Sequence, residues 1–317
     1  RDAVENTDVL SYHEGVDSII SSIKSKGGDQ AVLVNGKAVA SDSLNDQQCQ
    51  FTLGHLPLLL HKNPRKVLVV GLGTGMTLGA TAVHPSVEEL TLAEIEPNVV
   101  FAAKTFERYN HHVLDNPKLK IIHTDGRNFL MTTRNKFDVI TADPIHPWTQ
   151  GSGYLYTTEY FKLASEHLLP GGIMCQWLPI YELSVDDLKS VVATFTRHFK
   201  HTMTWLTFYD AEIIGSNSPF VIDEAELQRK IVAVPGIFSD LSRVSMGSAT
   251  DFLGYFLTGT EGMRSFGSNG TVNTDDNLYL EFSSPLSIGK NVMMTNASVL
   301  AKYRENILPY LQPAVER

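Results

Sequence analysis

The sequence predicts an α/β protein: a largely parallel sheet covered by helices on both faces, with a small β unit ahead of it. Three observations carry that expectation. Between residues 66 and 178 the apolar runs KVLVVG, LTLAEI, LKIIHT, FDVITA and GIMCQWL recur, with helix-compatible stretches between them. Such alternation implies parallel strands joined by crossover helices. The runs are continuous rather than alternating, as strands buried on both faces must be. Upstream, Asn35-Gly36 stands between two short runs, which is the strongest two-residue hairpin signal.

In chain order, strands are expected at 18–25, 31–34 and 37–41, with a turn at Gly27-Gly28-Asp29. A helix over 45–60 ends at Lys62-Asn63-Pro64, where proline forces the chain out of helical geometry. Strands at 66–71, 90–95, 119–124, 137–142 and 172–178 are separated by helices at 77–83, 98–106, 127–132 and 158–168. A helix at 186–199 and a strand at 204–208 come next. Beyond 216 the pattern weakens to a helix at 223–232, a polar loop over 265–277, a strand at 278–282 and a last helix at 297–310. The expected division is a β-hairpin domain at 1–50, the α/β domain that holds the site at 51–215, and a helical and loop extension at 216–317 packed on it.

Composition narrows the function. With 43% hydrophobic and 19% charged residues, the 317-residue chain is neither disordered nor a disulfide scaffold. Its 26 Lys+Arg against 35 Asp+Glu leave −9, and no basic run is present, which argues against nucleic acid as a partner. Cys49 and Cys175 are too few and too far apart for a metal cluster, and a reducing, cytoplasmic setting is the simplest reading. The apolar stretches fall well short of the roughly 18 residues that cross a bilayer. The first residue is Arg1, so a membrane anchor upstream of a soluble cytoplasmic domain stays open. Asn269-Gly-Thr and Asn296-Ala-Ser match the glycosylation pattern and read as chance, and His111-His112 reads as a solvated loop rather than a metal site.

Ligands of open parallel sheets bind beyond the carboxyl ends of the strands. After the first run comes Gly71-Leu72-Gly73-Thr74-Gly75, a turn that lets backbone approach a ligand. It lacks the spacing of the dinucleotide fingerprint and the Lys of a P-loop. After the second comes Glu94, placed to take ribose hydroxyls; after the third, Asp125-Gly126, placed to take an adenine amino group; after the fourth, Asp143-Pro144. Together they specify a nucleoside ligand without a phosphate clamp, which fits an adenosyl sulfonium.

These residues resemble the spermidine synthase family of polyamine aminopropyltransferases. The likeness rests on Asn63-Pro64-Arg65-Lys66-Val67-Leu68, the Gly-rich loop, His84-Pro85, Glu94-Ile95-Glu96, Asp125-Gly126, 136–140 with Asp143, and Leu169-Pro170-Gly171-Gly172. It resembles in particular the divergent members often fused to membrane segments, with Asn273-Thr274-Asp275-Asp276 a further point of likeness. The resemblance implies a Rossmann-like sheet of the S-adenosylmethionine-dependent transferase type, and a homodimer. It implies cofactor contacts from Gln50, Gly71, Gly73, Thr74, Gly75, Glu94, Ile95, Asp125, Gly126 and Asp143, with Asp143 also the catalytic acid. The product would be 5′-methylthioadenosine, and no metal is implied.

The departures shape the functional expectation. The Asp that the family places in its loop to hold the donor's amine is Thr74 here, the Tyr before Gln50 is Cys49, the acid after it is Phe51, and the second acid of the catalytic loop is His146. A neutral Thr74 tolerates a donor carboxylate that an Asp would repel. With several carboxylates gone, too little negative charge is expected for a polycation. The leading expectation is therefore S-adenosylmethionine attacked at its own γ-carbon, closing to homoserine lactone or an azetidine acid, or eliminated as by a lyase, with Asp143 and His146 as catalytic residues. Aminopropyl transfer to a polyamine, which Asp143, Glu182 or Asp210 would hold, is the alternative. Methyl transfer and a non-catalytic nucleoside-binding domain are two more.

Overall fold

The computed structural model describes residues 7–16 and 18–312. Strands β1 (Thr7–Glu14), β2 (Ile19–Ser25), β3 (Gln30–Val34) and β4 (Lys37–Ser41) form an antiparallel sheet in sequential order. Asn35 and Gly36 both take positive φ at the β3–β4 turn, as a tight primed turn requires. Helix α1 (Leu44–Leu60) comes next, started by Ser43, whose side chain accepts the Asp46 N–H. It is buried nearly all round, so its sequence shows no amphipathic stripe.

The main sheet adds β5 (Lys66–Val70), β6 (Glu89–Glu94), β7 (Leu119–His123), β8 (Phe137–Ala142), β9 (Leu168–Pro179), β10 (His201–Leu206), β11 (Asp210–Ser216) and β12 (Phe256–Thr258). Their order is β12-β10-β11-β9-β8-β5-β6-β7. The pairs from β9 to β7 are parallel, and β11, β10 and β12 join antiparallel. Helices α2 (Met76–Ala82), α3 (Val99–Lys104), α4 (Glu107–Asn110), α5 (Gly126–Thr132), α6 (Thr158–Glu166) and α7 (Val185–Phe195) cover it, so the core lies in two layers either side of the sheet. The α/β expectation holds, with an antiparallel edge the sequence did not announce.

The last hundred residues form α8 (Glu224–Ala233), α9 (Pro235–Arg243), α10 (Ala249–Gly254), α11 (Thr260–Gly267), α12 (Tyr279–Ser283) and α13 (Met293–Ala301) around β12. The strand expected at 278–282 is the helix α12, because Asn273 Oδ1 accepts the Leu280 N–H and fixes a helical start. The helix expected at 297–310 begins earlier and stops at Ala301. Asn296 is buried, giving two N–H bonds to the Ile180 and Leu183 carbonyls. No helix among the described residues is long and apolar enough to cross a membrane.

Candidate functional site

The carboxyl ends of β5, β6, β7 and β8 do converge. At the end of β5, Gly71 sits at φ 90, and a Cβ there would fall 2.5 Å from the Asp143 carbonyl. The glycine thus lets the loop after β5 touch the loop after β8. Thr74 is buried, donates its hydroxyl to Gln50 Oε1, and its backbone carbonyl accepts from Asn110. Gln50 in turn reaches the Ser41 carbonyl, so it ties the N-terminal sheet to the Gly-rich loop.

Glu94 is buried at the end of β6. Its carboxylate accepts the Leu72 N–H (2.8 Å) and the Glu96 N–H (2.8 Å), and burial pushes its pKa up. Ile95 beside it is exposed, an open apolar face at the cleft. Asp125 caps α5 through the Asn128 N–H (2.9 Å). At Gly126 a Cβ would meet Val70 at 2.4 Å, so packing against β5 demands glycine there.

Asp143 comes directly after β8 and keeps part of its surface toward the cleft. Thr77 of α2 donates its hydroxyl to Asp143 Oδ2 at 2.8 Å. Burial, with a smaller push from the charge of Asp46, lifts the Asp143 pKa to about 6 against the Thr77 bond. His146 lies three residues on, buried in an aromatic box. Its ring centroid is 4.3 Å from that of Trp148, 5.2 Å from Trp177 and 5.7 Å from Tyr181, whose hydroxyl meets Nε2 at 2.9 Å. Burial, then the nearby Lys37 charge, lowers its pKa to about 4, so the ring is neutral near pH 7. Lys37, just past the β3–β4 turn, sits 4.9 Å over the Trp148 ring. The tip of the N-terminal sheet therefore closes over the segment after β8.

Further carboxyl groups approach Asp143 from β11. Asp210 and Glu212, two positions apart on β11, share one face of the sheet, and α1 lays Cys49 across it. Burial and then the charges of Asp210, Glu212, Asp143 and Asp46 push the Cys49 thiol up. Asp210 Oδ1 takes the Trp177 indole N–H at 2.8 Å, and Glu212 Oε1 takes the Thr207 hydroxyl at 3.1 Å. Burial lifts Asp210 to about 7 and drives Glu212 well above the carboxylate range. None of the ion pairs among the described residues involves Asp46, Asp143, Asp210 or Glu212. Glu182 lies apart, half-buried, and accepts the Gly289 N–H. Sequence reasoning passed over Asp46, Thr77 and Glu212. The only signal for Glu212 was the pair of acids at alternate positions before an apolar stretch in DAEII.

His111 is a correction. It turns inward and meets Asp240 Oδ2 at 2.8 Å instead of facing solvent. His112 remains outside, where Glu107, His112 and Asp115 bring ligand atoms within 4.8 Å of one another, two of the three residues being exposed.

The fold and these strand ends define the class: a Rossmann-like sheet of the S-adenosylmethionine-dependent transferase type, preceded by a small antiparallel sheet. The sequence pattern of the spermine/spermidine synthase domain matches residues 47–215, and the chain belongs to that family. It is similar to the spermidine synthase of Dictyostelium discoideum, 33% identical over 196 residues that make up 61% of this chain and 68% of that protein. It is 32% identical over 162 residues to the polyamine aminopropyltransferase of Sodalis glossinidius, covering 51% of this chain and 55% of that one. Its fold matches a solved spermidine synthase in complex with the transition-state analogue AdoDATO, with a TM-score of 0.64, 19% identity, and 82% and 87% of the two chains covered.

Proposed function

We propose that this chain transfers an alkyl group from an adenosyl sulfonium to an amine and releases 5′-methylthioadenosine. One observation carries the reading: carboxyl groups gather around Cys49 with no Lys or Arg paired to them among the described residues. Acids buried without cations raise the free energy of the empty site, and a cationic guest relieves it. Membership in the spermine/spermidine synthase family supports the same reaction class.

The residues divide the work. The Gly71–Gly75 turn and Glu94 cradle the donor, whose ribose hydroxyls have the remaining lone pairs of Glu94 to donate to. Ile95 offers its apolar face to the adenine, and Asp125 its free oxygen to the amino group. Asp143 accepts the proton of the attacking amine. The nitrogen lone pair forms the new N–C bond as the C–S bond breaks, and sulfur keeps the electron pair as a neutral thioether. A base lifted to about 6 is ionised at pH 7 yet closer to its task than an ordinary carboxylate. We place His146 in the aromatic wall, since its Nε2 is bonded to Tyr181 and its ring is neutral.

A second reading is favoured by Thr74 and Lys37. A neutral residue in the Gly-rich loop and a cation at the cleft mouth suit a donor that keeps its carboxylate, which would attack its own γ-carbon. One experiment separates the two. The protein is incubated with S-adenosylmethionine or its decarboxylated form, with and without 1,4-diaminobutane, and products are identified by mass. Methylthioadenosine only in the presence of the amine is expected. Its release from S-adenosylmethionine alone would install the intramolecular reading instead, S-adenosylhomocysteine would mark methyl transfer, and no nucleoside product a binding domain.

A further inference from the structure

We propose that Asp275 is a positioning residue for the donor nucleoside. Acting through Arg127, it makes segment 272–281 of the C-terminal extension a strap that holds the stretch after β8 against the adenine end of the cleft. This role rests on the adenosyl-donor reading above, and it gives a task to the Asn273-Thr274-Asp275-Asp276 motif, which that reading leaves idle. Asn273 is fully buried and spends four polar groups on four different places. Its backbone N–H goes to the Thr194 hydroxyl of α7 (2.9 Å), and its carbonyl takes the Thr158 N–H at the start of α6 (2.9 Å). Its side-chain oxygen takes the Leu280 N–H of α12 (3.3 Å), and its side-chain N–H reaches the Gly153 carbonyl (3.3 Å). Glu281, on the same segment, accepts the Gly151 N–H at 3.3 Å. A Cβ on Gly153 would fall 3.1 Å from Glu281, so glycine lets the two segments close on each other.

Asp275 sits where this junction meets the donor site. Thr274 and Asn277 brace its turn, each side chain accepting the other's backbone N–H at 3.1 and 2.9 Å. The Asp275 N–H is fixed by Glu159 of α6 at 3.0 Å, and its Oδ2 accepts from Arg127. Arg127 is the second residue of α5 and follows closely on Asp125, whose free oxygen is the one assigned to the adenine amino group. The guanidinium lies 5.4 Å over the Tyr154 ring, and Tyr154 belongs to the stretch that opens with Asp143. One carboxylate thus ties the start of α5 to the stretch after β8. The tie is only half made. Arg127 Nε and Asp275 Oδ1 are both buried with no partner among the described residues, although a guanidinium and a carboxylate can make two parallel bonds. Buried groups left bare cost stability, so a loop built for packing alone gains nothing by carrying them. Asp143 does not depend on the strap, since its N–H goes to the Val70 carbonyl and its carboxylate accepts from Thr77. Loss of the tie should therefore weaken the hold on the nucleoside and spare proton transfer.

The test uses the full chain, with Asp275→Asn, Glu281→Ala and the exchange of Arg127→Asp with Asp275→Arg. Calorimetry measures methylthioadenosine binding, initial rates give donor KM and kcat, and urea unfolding tracks stability. Asp275→Asn is expected to weaken nucleoside binding and raise donor KM roughly 10-fold, with kcat within about 2-fold of wild type, the mark of lost uniform binding. The exchange restores the opposite charges and should bring KM back to within about 3-fold of wild type. Glu281→Ala leaves the ion pair in place and frees only the Gly151 contact. It should move KM the same way by about 3-fold, which keeps the test decisive if Asp275→Asn misfolds. A folded Asp275→Asn protein that binds and turns over like wild type, a fall in kcat with KM unchanged, or an exchange that restores nothing would overturn the strap. A wild type that binds methylthioadenosine but turns over no amine would remove the amine-transfer reading, while weaker nucleoside binding by Asp275→Asn would still support the strap.

Discussion

Helix α1 carries two clusters of buried polar groups, one around Cys49 and one around His55 nearly two turns later, and they are built on opposite principles. His55 Nδ1 meets His84 Nε2 at 3.0 Å, and its Nε2 meets Asp240 Oδ2 at 3.1 Å, with His111 closing the chain on the same carboxylate. Burial alone would raise the Asp240 pKa, but hydrogen bonds from His111 and His55 and their charge outweigh it and bring it down. Around Cys49 the carboxyl groups have only neutral donors and each other, and Asp143 and Asp210 rise. The same helix thus holds a satisfied network that pins α9 to α1 and a second cluster in which Glu212 Oε2 is left without a partner among the described residues. Satisfaction marks structure, and its absence marks a place kept for a guest.

The contrast is sharpened by changing one residue at a time. The largest effect is expected at Asp143: Asp143→Asn should lower kcat for methylthioadenosine release by about 10²–10⁴-fold while donor binding by calorimetry holds. Next, Asp240→Ala should cost about 3–5 kcal/mol in urea unfolding, because two histidines lose a buried partner, and should leave any preference among amines alone. An Asp240→Ala protein as stable as wild type would break the comparison.

Asp210→Asn should do the reverse. The folded-state pKa of Asp210 is raised, so its ionisation works against folding. That penalty is absent below the unfolded value near 3.8, grows as pH rises toward about 7, and is then constant. The variant should therefore be more stable than wild type by about 1–3 kcal/mol at pH 8, and equal to it at pH 4. The smallest effect is a shift in a pH profile. The rate should fall as pH drops through about 6, where Asp143 takes up a proton. Thr77→Val removes a bond that favours the ionised form and should move that limb upward by about half a unit to one unit.

Much of this was legible in the chain. Parallel strands buried on both faces betray themselves as apolar runs. The few residues just past the carboxyl end of each run could then be read for their chemistry, so Asp143, Glu94 and the Gly71–Gly75 turn could be placed. Strand β11 was not legible, because the acids at Asp210 and Glu212 break its apolar run and only pairing with β9 and β10 buries them. The sequence comparison looked at the family's acid positions around Thr74, Cys49, Phe51 and His146, and Glu212, on a strand almost seventy residues after Asp143, lay outside it. His111 hid in the same way, since its partner Asp240 lies on α9. The segment at 278–282 was ambiguous, as short apolar runs are.

The reach of Lys37 over Trp148 has a practical side. The tip of one small hairpin bears on the segment that follows Asp143, so a chemist wanting to disturb this protein has a handle on a surface turn as well as at the strand ends.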